Sequence, residues 1–269
     1  MNRLYWNTKT KLGMFVGTCL LALGVSSPQA RAQDTENFAP PTLAYTPKNL
    51  TLLSVTSATV APSGLGFISL SLTSKRVEAA RTLDETDGSL AFGIGFGDAI
   101  DSVGVQLTAQ ITSLTDDFGD SGYFALNFSR QVAAGKAPIF IGAEVSSLAS
   151  WGDAKDNPTS GKVMATWFPT LQFDSGTNIP LMITAGYGSH LKNGFADPAP
   201  YFGIGAGFTR NFGASVSWTG DTIDVGTAFL IDGWDNGNVT VEFNDVTNRQ
   251  DRQRVSVTFN IFRSNLFRG

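Results

Sequence analysis

From Leu65 onward the chain is built from short stretches in which apolar residues alternate with small or polar ones. They recur roughly every 16 to 20 residues between clusters of Gly, Asp, Asn and Pro. A period of two places each set on its own face of a β-strand, and turn residues at such spacing separate one strand from the next. Leu90, Phe92, Ile94 and Phe96 interleave with Ala91, Gly93, Gly95 and Gly97. Val103 to Ile111, Phe124 to Ser129, Phe202 to Phe208, Ala214 to Trp218, Ile223 to Phe229 and Val255 to Ile261 repeat the pattern. Five less regular stretches complete a set of twelve: Ile68-Leu70-Leu72, Ile139-Ile141-Val145, Val163 to Phe173, Leu181 to Tyr187 and Val239-Val241-Phe243. Pro169, inside the sixth, removes a ladder donor and predicts a bulge there. Helical character is confined to Lys75–Glu85, between the first two strands.

The second face decides what kind of sheet this is. On a soluble β-sandwich it meets bulk water, and such surfaces are about 25–35% charged. In the seven clearest segments it consists of Gly, Ala, Ser, Thr, Asn and Gln with Asp224 as its one charge, and the apolar face carries none. Charge sits in the connections. That distribution predicts an all-β, antiparallel transmembrane barrel of about twelve strands, with ten or fourteen as alternatives. A charge at the lipid-facing midplane costs about 2–4 kcal/mol, and in hydrocarbon only a closed barrel or a helix pairs every backbone group. Aromatics near segment ends (Phe96, Trp167, Tyr187, Phe208, Trp218, Phe243, Phe259, Phe262) are placed as interfacial girdles.

Connection lengths give a second test. Long outer loops are expected at Ser74–Gly88, Asp116–Gly122, Ser147–Lys162, Ser189–Pro200 and Asp245–Arg252. Short inner turns are expected at Asp98–Ser102, Ala133–Ala137, Asp174–Pro180, Thr209–Phe212 and Ile231–Asn238. The tight hairpin at Gly220-Asp221, on the outer side, breaks the order.

The first 32 residues read as an export signal. Arg3, Lys9 and Lys11 precede an apolar run from Leu12 to Val25, too short to span a bilayer, and Ala30-Arg31-Ala32 fits the small-residue cleavage rule. Cleavage is expected between Ala32 and Gln33. Residues 33–64, with Pro40, Pro41, Pro47 and Pro62, read as a periplasmic lead-in, although Leu50 to Val60 could form a strand or an internal plug. The barrel domain is expected over 65–269.

Composition narrows the function. The 269 residues are 16% charged and 42% hydrophobic, where soluble domains are about a quarter charged. Four basic side chains and no acidic one leave with the signal, so 15 basic residues face 23 acidic ones and the net charge is −8. There is no basic footprint for nucleic acid. The single Cys, Cys19, lies within the signal, which suits passage through an oxidising compartment.

Signal, alternating segments and a final strand over Val255–Phe262 together resemble a bacterial outer-membrane β-barrel protein, in pattern rather than by a specific motif. The resemblance covers Leu65 to the end. It implies outer-membrane lipids and the barrel-assembly machinery as partners, with small solutes or ions as cargo. Such families usually finish on a terminal aromatic in the apolar register. Here the series stops at Ile261, Phe262 is on the opposite register, and seven residues follow.

Candidate chemistry is sparse. His190 is the only imidazole, in Gly188-Ser189-His190-Leu191. Twelve-stranded outer-membrane phospholipases are similar in size, but their His-x-Ser spacing is missing because residue 192 is Lys. No third group that would orient the base is identifiable, so a non-enzymatic reading is preferred. Gly93-Ile-Gly95-Phe-Gly97 and Gly203-Ile-Gly205-Ala-Gly207 have strand periodicity with no following helix, which excludes a phosphate loop. Asp116-Asp117 and Asp153/Asp156 lack a full calcium loop, and no cofactor is implied. Glu144, Asp224, Glu242 and Arg254 fall on inner registers, where they can set ion preference or pair with one another. Arg249, Arg252 and Arg254 cluster in the last outer loop.

The expectation is an outer-membrane barrel acting as a channel for small solutes or ions. A closed structural or surface-interaction barrel acting through its outer loops is the alternative. A lipid-acting enzyme and a secreted soluble β-sandwich rank lower.

Overall fold

A computed structural model of the chain describes residues 48–267, apart from 75–86, 113, 115–117, 175, 194, 235 and 251–252. The proposed signal and the helical stretch Lys75–Glu85 lie outside the described residues.

The strands follow the alternating segments. They are β1 (Gly66–Thr73), β2 (Asp87–Gly97), β3 (Gly104–Ile111), β4 (Gly122–Ala133), β5 (Ile139–Trp151), β6 (Ser160–Trp167), β7 (Thr170–Gln172), β8 (Asn178–Lys192), β9 (Asp197–Gly207), β10 (Phe212–Trp218), β11 (Ile223–Phe229), β12 (Gly237–Asn244) and β13 (Arg254–Arg263). Each pairs antiparallel with its neighbours. β1 joins β13 along the full eight residues of β1, from Gly66↔Arg263 to Thr73↔Ser256, and β6 joins β8, so the sheet closes on itself. β7 continues β6 beyond Phe168 and Pro169, which makes twelve wall strands in a closed antiparallel barrel.

No bulge accommodates Pro169. Trp167 pairs with Ile183 and Thr170 with Pro180, so the register carries straight through. The proline carbonyl accepts from the Leu181 N–H at 2.8 Å, and the Phe168 N–H donates to the Pro138 carbonyl at 3.0 Å. Proline withholds only its own N–H, so an edge-like gap of two residues is enough and no extra residue is needed. The register shifts lie elsewhere, between β4 and β5 and between β8 and β9.

The two ends differ in their connections. The connections β2–β3, β4–β5, β7–β8, β9–β10 and β11–β12 join strands at one end, and β1–β2, β3–β4, β5–β6, β8–β9, β10–β11 and β12–β13 at the other. The turn at Gly220 is a tight hairpin, with the Thr219 N–H on the Thr222 carbonyl at 3.0 Å. The expected loops over 147–162 and 189–200 are shorter than the sequence suggests. β5, β8 and β9 run on as paired strands, and a 3-10 turn spans Gly152–Asp156. Ladder bonds satisfy the backbone there as well as water would, so pairing need not stop where the apolar pattern stops.

The long-loop end is strapped together. The Trp151 indole N–H donates to the Gly119 carbonyl at 2.9 Å, its ring lies 5.7 Å from Phe124, and the Ala154 N–H donates to Ser121 Oγ at 3.0 Å. Trp151→Phe keeps the ring contact and removes the donor. It is expected to cost about 0.5–1.5 kcal/mol and to quicken proteolysis within 112–121, read on gels beside the parent.

The faces segregate as the alternation requires. Ile68, Phe92, Phe128, Ile141, Val163, Phe202, Ile204, Val216 and Phe259 are exposed, whereas the intervening Ser69, Gln106, Thr108, Asn127, Thr184, Thr240 and Thr258 are buried. A polar interior and an apolar exterior invert the soluble pattern and match a barrel in lipid. Phe96, Trp167, Phe208 and Phe243 are exposed near strand ends, whereas the exposed Tyr187 and Phe259 lie within β8 and β13. Phe262 does not join them: it is on the inner register, opposite Phe67 of β1. The chain then turns back, with Phe267 stacked 5.5 Å from Phe96 and the Leu266 N–H on the Gly64 carbonyl at 2.9 Å.

Candidate functional site: a lumen occupied by the chain itself

The lumen-facing glycines show what fills the barrel. A Cβ at Gly205 would collide with the Thr51 carbonyl, one at Gly213 with the Asn49 carbonyl, and one at Gly95 with the carbonyls of Ala61 and Pro62. These glycines are cut-outs in the wall along which another stretch of main chain passes, a close approach that only glycine allows. That stretch is residues 48–62, which precede β1. Residues 33–64 read from the sequence as a periplasmic lead-in. Their described part lies inside the barrel, where Leu50 to Val60 had an internal plug as its alternative.

The segment enters and leaves at the short-turn end. The Lys48 ammonium donates to the Asn178 carbonyl. The Asn49 N–H donates to the Thr209 carbonyl at 2.8 Å, and its Nδ2 to the Ala228 carbonyl at 3.0 Å. Leu53 lies against β10, its N–H on Ser215 Oγ at 3.1 Å and its carbonyl taking Ser217 Oγ–H at 2.7 Å. The chain turns at Ser54, whose φ is 66° and whose N–H meets the Glu242 carboxylate of β12. The return leg crosses to β5 and β6. Ala58 donates its N–H to Thr166 Oγ1 at 2.7 Å and accepts Ser129 Oγ–H at 2.5 Å, and the Ala61 N–H donates to Gln106 Oε1 at 2.9 Å. The Gly64 N–H finally joins the Gly95 carbonyl at 3.0 Å.

Apolar packing reinforces the polar contacts. Leu52, Val55 and Ala58 of the segment form one buried cluster with Met164, Met182, Leu191, Ala199 and Tyr201 of the wall. Phe140 and Phe168 pack edge to face at 5.8 Å beside it. Within the described residues the lumen is a packed interior crossed by polar rows.

The four predicted lumen charges divide into two groups. Glu144 is alone among them on its side of the barrel, and it is paired with Lys162 of β6, Nζ to Oε1 at 2.7 Å. Thr56 completes that site: its hydroxyl donates to Glu144 Oε2 at 3.2 Å and accepts from Lys162 Nζ at 3.1 Å. Asp224, Glu242 and Arg254 lie together on β11 to β13, with Glu242 in the field of both others. Asp224 organises the neighbouring loop, accepting from Thr222 Oγ1 at 3.0 Å, the Asp245 N–H at 2.9 Å and Asn244 Nδ2 at 3.1 Å. Asp245 in turn accepts the N–H groups of Arg249 and Gln250, each at 2.8 Å.

Lys162 was missed in the sequence because it closes a charged connection, Ser147–Lys162. Its register was legible: Val163 faces outward, so its neighbour faces the lumen. His190 sits on β8 with its Nδ1 2.8 Å from Ser189 Oγ, and that hydroxyl also accepts the Gly161 N–H at 3.0 Å. Among the described residues this is the ring's hydrogen bond, and no carboxylate orients it as a catalytic base requires.

No protein-family model and no curated protein matches the chain. Among solved structures it is similar to an outer membrane channel from Pseudomonas putida F1, at 7% identity over 77% of this chain and 98% of that one, with a TM-score of 0.44. It is also similar to the Acinetobacter baumannii outer membrane protein Omp33, at 12% identity over 74% of this chain and 97% of that one, with a TM-score of 0.42. The architecture itself rests on the strand pairing: a closed twelve-stranded antiparallel barrel with a lipid-type exterior.

Proposed function

We propose that the protein is a non-enzymatic outer-membrane channel for small solutes or ions, held shut by residues 48–62 and opened by their displacement. The observation that carries this reading is the polar inner wall. Ser69, Thr108, Asn127, Thr166, Thr184, Ser217, Thr240 and Thr258 face inward from strands all round the barrel. A barrel meant only to be solid gains nothing from such residues, since buried polar groups cost free energy unless each is bonded. On this reading the signal is removed between Ala32 and Gln33. The short-turn end with Lys48 then faces the periplasm, and outer-membrane lipids meet the exposed Ile, Val and Phe.

The close fit of the segment to Gly95, Gly205 and Gly213 favours a second reading, a permanently closed barrel acting through its outer loops. Planar-bilayer recording separates the two. The full mature chain is expected to be silent or to flicker, and a variant with residues 48–62 replaced by a Gly/Ser stretch of equal length to give discrete steps. Silence from a variant that still shows heat-dependent gel mobility would establish the closed reading.

A further inference from the structure

The wall holds the lumen segment by its main chain. Leu53 is clamped at both its N–H and its carbonyl by Ser215 and Ser217, and Ala58 at both by Thr166 and Ser129. Gln106 takes the N–H of Ala61. Glycines at 95, 205 and 213 lie closest to the carbonyls of Ala61, Thr51 and Asn49, while Gly203 and Gly226 make room for the side chains of Leu52, Val55 and Leu53. The four clamp residues sit on three strands, β4, β6 and β10, so this grip belongs to the wall itself. From Leu50 to Pro62 the segment has no charge and no side chain larger than Leu.

A surface that bonds both the N–H and the carbonyl of single residues, and clears space for carbonyls, reads backbone, with Thr56 and the small apolar side chains adding fit. We infer that the lumen is a binding site for a strand-like, uncharged polypeptide with small side chains, and that residues 48–62 occupy it as an internal pseudo-ligand. The inference shares with the channel reading only the premise that the segment can leave. The paired donor and acceptor hydroxyls are spaced for the N–H and carbonyl of one residue, which a peptide presents in fixed order and a small ion does not.

The test weakens the resident segment and leaves the wall intact. The full-chain variant L53P/A58P lacks the two N–H groups that Ser215 and Thr166 receive, because proline has none. A fluorescent synthetic peptide with the sequence of residues 49–62 is titrated onto this variant in detergent and followed by anisotropy. The expected result is saturable binding at least about tenfold tighter than to the parent chain, whose site is filled. N-methylation of the peptide at the positions of Leu53 or Ala58 is expected to weaken binding about tenfold each, as loss of a buried hydrogen bond does.

Equal binding of the N-methylated peptides, no binding at all, or competition by maltohexaose but not by the peptide would overturn the inference. Should the double variant lose its heat-dependent mobility, L53P alone, with the Ala58 clamp intact, serves in the same titration. Peptide binding without bilayer conductance supports the site and removes the channel reading. Conductance steps that the peptide does not block support the channel and remove the site.

Discussion

Lys162→Met is expected to be the most damaging single change in the lumen. Lys162 and Glu144 are 2.7 Å apart with side chains 10% and 5% exposed, so neither charge has water to fall back on. Removing one partner of a buried pair leaves the other uncompensated and costs about 3–5 kcal/mol. Thr56 makes the loss wider, because its hydroxyl bonds to both groups and would keep only the carboxylate. The check is the temperature at which the folded, fast-migrating form is lost on gels. A large drop is expected for Lys162→Met and a partial recovery when Glu144→Leu is added. An unchanged transition would mean that water reaches the pair.

Gly205→Val and Gly213→Val should act on the resident segment with little direct effect on the wall. A side chain at either place needs the room now held by a carbonyl of Thr51 or Asn49. β9 and β10 are fixed by ladders on both sides, so the segment must yield. Overpacking costs about 1–3 kcal/mol at one site. Both clashes bear on the same few residues, so the pair costs less than the sum. The functional consequence is larger than the energetic one: a Cys placed at Leu53, silent to maleimide in the parent, is expected to label readily in the double variant. Continued protection would show that the barrel, not the segment, adjusts.

How much of this was readable follows from which residues have two different sides. A wall strand separates oil from a polar interior, so Phe92 and Ala91, or Val216 and Ser215, differ by chemistry and the period of two is visible. All twelve wall strands and the tight turn at Gly220 were legible for that reason. The segment Leu50 to Val60 is enclosed on every side, so it has no face to contrast and shows no period. Its trace was present in the glycines of 93–97 and 203–207, which read as generically small inner residues, although three lumen-facing glycines in one strand are more than slimness requires. The pairing of Lys162 with Glu144 was hidden because a charge beside a loop reads as part of the loop. The ends of β8 and β9 were hidden because ladders persist beyond the apolar band that marks them.

The short join between segment and wall limits what release can mean. Only residues 62–65 separate Ala61 from β1, and Gly64 is tied to Gly95 on one side and to Leu266 on the other. The trailing leg is therefore leashed at the barrel's closing seam, and any release must begin with the leg that starts at Lys48. A tether so brief keeps the local supply of its own end on the order of millimolar. Any visitor to the lumen competes with a resident that never diffuses away, and vacancies should be short and self-healing.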